Sequence, residues 1–166
     1  MDGESCLARK DFGRLRPVPA REAIPSPDRV WTSHEWDLIR RGHRSQDMDD
    51  KWHALVEGQR LYLHRSWTGM GVYEVEFTAD ADGWRIIHAV VAGDHDSYRR
   101  RDDEYESAFL EAVIEWALLG VRNGPGHRRW ERARPGPPRI ARQPTSERHD
   151  RMAKVVQGAD VMCLRV

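Results

Sequence analysis

The sequence predicts an α+β domain: a four-stranded antiparallel meander packed against a C-terminal helix, with a short N-terminal helix before the sheet. Three observations carry that prediction. Apolar residues recur with a two-residue period between Trp52 and Val91, Gly- and Asp-containing turns separate the alternating runs, and Tyr105 to Leu119 carries an apolar stripe at helical spacing. At 166 residues there is room for one domain with a core and too little for two ordinary ones. The hydrophobic content of 39% is low and the charged content of 33% high, so less than the full length is expected to fold.

Residues 1–30 contain Pro17, Pro19, Pro25 and Pro27 without sustained periodicity, and each proline biases its predecessor away from helix. A disordered or loosely draped leader is expected there, followed by a single domain over 31–120. Thr32 opens the short helix, because its hydroxyl can cap the first turn while Glu35 reaches back to complete a capping box. Trp36 and Ile39 share a face, and Gly42 ends the helix.

After the polar run 43–50, Trp52, Ala54 and Val56 form the first alternation and Glu57-Gly58-Gln59 the turn. Leu61, Leu63, Arg65 and Trp67 form the second. Thr68-Gly69-Met70-Gly71, with two glycines available for positive φ, leads into Tyr73, Val75 and Phe77. Asp80-Ala81-Asp82-Gly83 turns again, and Trp84 to Val91 is rich enough in Ile and Val to be covered on both faces or only weakly polar outside.

Asp102 or Asp103 caps the long helix, with Glu104 and Glu106 in the first turn, where the helix dipole favours negative charge. Tyr105, Phe109, Ala112, Trp116 and Leu119 form a stripe expected to pack on the sheet. Gly120 stops the helix. Asn123-Gly124-Pro125-Gly126 then marks the end of the compact region and leaves 121–166 as a basic Pro/Gly/Arg-rich tail, mostly disordered.

The net charge of zero conceals an uneven distribution. Residues 1–30 carry six Lys/Arg against five Asp/Glu, residues 31–120 ten against eighteen, and residues 121–166 eleven against four. An acidic body argues against nucleic acid as its ligand, since phosphates are repelled there; the basic tail is either solvated, a weak nucleic-acid binder, or folded back on the acidic face. No apolar run is long enough to span a membrane, and the first residues lack the apolar segment of a secretory signal, so a cytoplasmic location is expected. Cys6 and Cys163, the only cysteines, lie in the leader and the tail and give no support to a disulfide framework or a thiolate metal site.

The stretch His64-Arg65-Ser66-Trp67-Thr68-Gly69 concentrates the chemically capable residues at the end of the second strand. Arg65 is in phase with Leu61 and Leu63. A guanidinium in an apolar row costs several kcal/mol unless a carboxylate or an anionic ligand satisfies it. Asp49, Asp50 or Glu104 could pair with it; alternatively Arg65 lines a pocket mouth and grips a phosphate or carboxylate through its planar fork. Trp67 packs in the core or stacks on a flat ring, and Thr68-Gly69 offers a hydroxyl and an N–H to an anion.

Tyr62, His64 and Ser66 share the opposite face. Two-residue spacing on a strand separates His64 and Ser66 by about 7 Å, which is too long for a nucleophile and its base. His88, in phase with Ile86 and Val90, reads as a hydrogen-bonded core histidine. Asp94-His95-Asp96 has ligand chemistry but lies alone in one short loop, so no metal is expected. There is no P-loop and no G-x-G-x-x-G, and no cofactor is expected.

The runs Met48-Asp49-Asp50-Lys51-Trp52, Leu61 through Gly69, and Val72-Tyr73-Glu74-Val75 resemble a bacterial family of uncharacterised small domains, some of which occur beside or fused to macrodomains and ADP-ribosylglycohydrolases. The resemblance covers residues 31–119 and implies a link to ADP-ribose metabolism without assigning catalytic residues. Three readings follow. The first is a non-catalytic domain binding a small anionic or nucleotide-like ligand through Arg65, Trp67 and Thr68, with His64 and Asp50 nearby. The second is a module docking a protein partner, such as a toxin, and the third a hydrolase using His64 or His53 with Asp50 as acid and base.

Overall fold

A computed structural model describes residues 5–136. In chain order the elements are β1 (Arg21–Ile24), α1 (Ser33–Ile39), β2 (Trp52–Glu57), β3 (Arg60–Arg65), β4 (Gly71–Asp80), β5 (Gly83–Ala92), α2 (Asp103–Ala117) and α3 (Pro125–Ala133). The fold is α+β. β2 to β5 form the expected meander, but the antiparallel sheet has five strands, ordered β1-β5-β4-β3-β2.

The fifth strand comes from the proline-rich leader. Arg21–Ile24 pairs with Ala89–Ala92, a register that puts Ile24 opposite core residue Ala89. Residues 9–18 lie as a strap on the outer face of the sheet, where Arg9 meets Tyr62 and Phe12 meets His53. Arg16 N–H donates to the Gly69 carbonyl at 2.7 Å, Gly71 N–H donates to the Arg16 carbonyl at 3.0 Å, and Phe12 and Val18 are buried. The prolines suit this role, because an extended strap needs neither helix nor many N–H donors. Gly71 is there for closeness: a Cβ would lie 2.7 Å from Val18 N and 2.9 Å from Arg16 O. Over residues 9–24 the disordered or loosely draped leader expected from composition is therefore corrected to an ordered strap and edge strand.

The inner face carries the alternation the sequence predicts. Trp52 pairs with Arg65, Ala54 with Leu63, Leu63 with Tyr73 and Tyr73 with Val91, so residues of one phase line up across four strands. α1 closes one end, capped by Thr32 and Glu35 as predicted, with Trp36 stacked on Trp84 at 4.3 Å and tilted against Phe77. α2 is capped by the Asp102 side chain, which accepts from Tyr105 N–H at 2.9 Å. Leu110, Val113 and Ile114 are its core contribution, each fully buried at i, i+3 and i+4.

As predicted, Phe109, Trp116 and Leu119 of the stripe pack against the core, with Phe109 6.1 Å from Trp52 of the sheet, and the rings of Tyr105, Phe109 and Trp116 have a second task. These rings meet Trp130 of α3 at centroid distances of 6.5, 5.5 and 5.2 Å, so they cover a helix that the sequence reading ends before. Gly124-Pro125-Gly126 starts α3, with Gly124 as its cap and Pro125 at the first position. A Cβ on Gly126 would lie 2.6 Å from Glu111 Cγ and 2.9 Å from Ala112 N, so glycine there lets the two helices touch. The reading of 121–166 as a mostly disordered tail is corrected for Pro125–Ala133, which is α3; residues 137–166 lie outside the described residues.

Three glutamates on α2 are buried, and each has partners. Glu106 accepts from both Tyr73 and Tyr98 hydroxyls and from Arg101 N–H at 2.7 Å. Glu111 pairs with Arg29 and Arg129. Glu115 pairs with Arg29 and accepts from Gly126 and His127 N–H at 2.9 and 3.0 Å, capping α3 from outside the helix. Arg29 also reaches Glu35 of α1 at 2.9 Å. One buried ionic network thus joins the leader, α1, α2 and α3.

Breaking a buried pair costs more than breaking an exposed one, because the surviving charge stays desolvated. We predict that Glu115→Ala lowers the unfolding free energy by about 3 kcal/mol in urea denaturation, whereas Arg9→Ala, which removes the solvent-exposed pair with Glu57, costs less than about 1 kcal/mol. Equal effects would mean that the α2 network is not a structural hub. For the strap, Gly71→Ala is expected to speed tryptic cleavage after Arg14; an unchanged rate of cleavage there would show that close approach at Gly71 does not hold it.

Candidate functional site

The end of β3 brings together part of the predicted cluster. Arg65 lies on the inner face opposite Trp52, and its guanidinium stands 4.5 Å from the Trp52 ring centre and 5.8 Å from that of Tyr98. Among the described residues no carboxylate pairs with it. Asp49, Asp50 and Glu104, the acids expected as partners, form no ion pair with Arg65. Stacking on two rings orients the planar fork without neutralising it, and leaves its N–H edges to bind something else.

The buried carboxylate of Glu106, which shares Tyr98 with Arg65, is already engaged by other donors. Tyr98, the ring beside Arg65, donates to Glu106 at 2.9 Å, as does Tyr73, and Arg101 N–H takes the other carboxylate oxygen. Burial first, and then the negative charge of Glu106, push the Tyr98 hydroxyl upward; burial pushes Tyr73 up as well. Both tyrosines therefore stay protonated donors and hold Glu106 away from the arginine.

Trp67 lies beyond the last paired residue of β3 and is 67% exposed, which corrects its core reading. Lys51 Nζ is 5.5 Å from its ring centre. Thr68 is exposed, and its hydroxyl oxygen accepts Met70 N–H at 3.2 Å within the turn. Arg65, Trp67, Thr68 and Lys51 thus share one strand end, where two residues carry positive charge and one presents an open ring.

His64 and Asp50 do not join that group. A bulge at Leu63/His64 leaves His64 on the outer face, 3% exposed, with Nδ1 3.1 Å from the Gly69 carbonyl and Nε2 buried without a hydrogen-bond partner. It is a core histidine. Asp50 clips its own loop, holding His43 Nε2 at 2.5 Å and Trp52 N–H at 3.3 Å, while its carbonyl accepts from Ser45 and Ser66 hydroxyls. His53 Nδ1 accepts Ser45 N–H at 3.1 Å and its ring packs edge-on against Phe12. Neither His53 nor His64 is hydrogen-bonded to Asp50; the histidine that is, His43, carries no sequence signal because the pairing depends on a bridge between His43 and Ala54.

Other candidates resolve simply. His88 is exposed because a bulge between Glu76 and Phe77 inserts Ile87 and turns His88 out of phase with Ile86. Asp94 accepts from Asp96 N–H and the Ser97 hydroxyl, closing its turn. Among the described residues no group of three or more His, Cys, Asp or Glu could hold a metal, and no helix is long and apolar enough to cross a membrane. Tyr98, which helps set Arg65, has no motif to mark it in the Asp/Arg-rich connection. Comparison with protein-family models, with curated proteins and with solved structures finds no match to the chain.

Burial lowers the His64 and His53 pKa values below the usual imidazole range; the Gly69 carbonyl opposes this at His64, and the charge of Asp50 opposes it at His53. The unfolded chain therefore binds protons first as pH falls below about 6.5, and stability drops from there down to the depressed folded values. Urea denaturation should show nearly constant stability above neutrality and a decline below it, with a shallower slope in His64→Gln. An identical slope in that variant would contradict the placement of His64.

Proposed function

We propose that this protein is a non-catalytic binding domain for an anionic, ring-bearing ligand, gripped by the Arg65 fork with Trp67 as a stacking surface and Lys51 and Thr68 at the rim. One observation carries the reading: a guanidinium oriented by Trp52 and Tyr98 and lacking a carboxylate partner among the described residues. Natural arginines in apolar rows are neutralised unless something else supplies the anion. ADP-ribose combines a diphosphate with a flat base, so it matches both halves of the site, and the resemblance to domains found beside ADP-ribose-handling enzymes makes it the first ligand to test.

A protein partner is the second reading, favoured by Met48 and Trp67 at 71% and 67% exposure on either side of Lys51 in sequence. The two readings part on Arg65. Calorimetric titration of the full chain with ADP-ribose, AMP and pyrophosphate is expected to show binding that Arg65→Lys weakens by roughly tenfold or more, since a charge-assisted fork contributes about 1.5–3 kcal/mol. Trp67→Ala should weaken ADP-ribose several-fold and leave pyrophosphate unchanged. If none of the three ligands binds the folded protein, the small-ligand reading fails and capture of a partner through Met48 and Trp67 becomes the reading to pursue.

A further inference from the structure

Arg65 is one of three arginines stacked on aromatic rings along a continuous path. Its support, Trp52, lies 6.1 Å from Phe109 of α2, and Phe109 lies 5.8 Å from Tyr105 and 5.5 Å from Trp130 of α3. Arg101 stands over Tyr105 at 5.0 Å, and Arg134 over Trp130 at 4.8 Å. Tyr105, Phe109 and Trp130 are each only partly buried, while Arg101 and Arg134 are exposed.

None of the three guanidiniums forms an ion pair with a described carboxylate. Arg9, Arg21, Arg40, Arg60 and Arg85, by contrast, are each paired with an acid. Several unpaired cations in a row, interleaved with partly exposed rings, suit a ligand with several phosphates and several flat bases.

Extending the anion-binding reading of Arg65, on which it rests, we infer that this arginine and aromatic ridge binds single-stranded nucleic acid, with Arg65 at one end and Arg134 at the other. Phosphates pair with Arg65, Arg101 and Arg134, and unstacked bases lie against the partly exposed rings. A duplex keeps its bases stacked and offers only its backbone charge.

The test is fluorescence anisotropy of the full chain with a labelled oligothymidylate of about twelve nucleotides, a duplex of the same length, and pyrophosphate as a competitor for the Arg65 end. The single strand is expected to bind more tightly than the duplex. For single strands the logarithmic salt slope is about −0.7 per phosphate neutralised, so Arg101→Gln/Arg134→Gln should make it shallower by about 1.4 and weaken binding roughly tenfold or more. Pyrophosphate binding should be unchanged in that variant, which also shows that it is folded. Arg101→Lys/Arg134→Lys should recover the slope and only part of the affinity.

Unchanged affinity and slope in the glutamine variant, or a duplex bound as tightly as the single strand, would overturn the ridge and point to charge in residues 137–166 or to backbone attraction alone. Pyrophosphate binding that depends on Arg65, with no binding of the single strand, overturns the ridge while leaving the Arg65 site intact. If neither probe binds, both fall.

Discussion

The burial of three carboxylates on one helix is the constraint from which most of this structure follows. Glu106, Glu111 and Glu115 are buried where an unpaired carboxylate would be expelled or neutralised, so each must collect donors from other parts of the chain. Glu106 draws in the connection before α2 through Tyr98 and Arg101. Glu111 and Glu115 draw in Arg29 from the leader and Arg129 from α3, and Glu115 also caps the N-terminus of α3. The apolar residues Leu110, Val113 and Ile114 supply the burial that makes α2 stick; the glutamates decide which segments are held and where.

That division has a consequence for the strand end. A guanidinium beside a carboxylate normally pairs with it, but Glu106 is already engaged by two tyrosine hydroxyls and a backbone N–H. Tyr98 stands between the two charges, donating to one and stacking on the other. The fold thereby keeps an arginine oriented by aromatic rings and electrically unsatisfied. Such a group is costly to maintain without a ligand, and that cost is the physical basis of the proposed function.

The parts of the fold legible in the sequence are those where one residue pattern has one meaning. Alternation from Trp52 to Val91 places four strands because period two with short turns has no competing reading, and Thr32 with Glu35 marks the start of α1 by local chemistry alone. The leader and α3 were illegible because prolines and glycines signal irregular backbone in either case, and only tertiary contact shows that Pro17 and Pro19 belong to a strap or that Gly126 is a point of helix contact. The α2 stripe packs on the core as its spacing indicates, and α3 is a second partner that the spacing does not mark. His88 was misassigned through a bulge, which shifts phase without a sequence mark, whereas His64 faces outward as its phase indicates and is buried there. Arg65 was legible as an anomaly from its place among Leu61 and Leu63, while its saturated neighbour Glu106, thirty and more residues from Tyr73 and paired across the core, was not.

The central claim is that Arg65 is held rigid and unneutralised until an anion arrives, and the side chain itself can report on it. In the folded full chain the Arg65 Nε–Hε resonance, assigned through an Arg65→Lys variant, should be resolved from the bulk arginine signals by the ring currents of Trp52 and Tyr98. Added pyrophosphate should shift it downfield in a saturable manner while the Arg29 resonance, locked among Glu35, Glu111 and Glu115, stays in place. An Arg65 signal that lies with the bulk arginines, or that moves no more than Arg29 at saturating pyrophosphate, would contradict the claim.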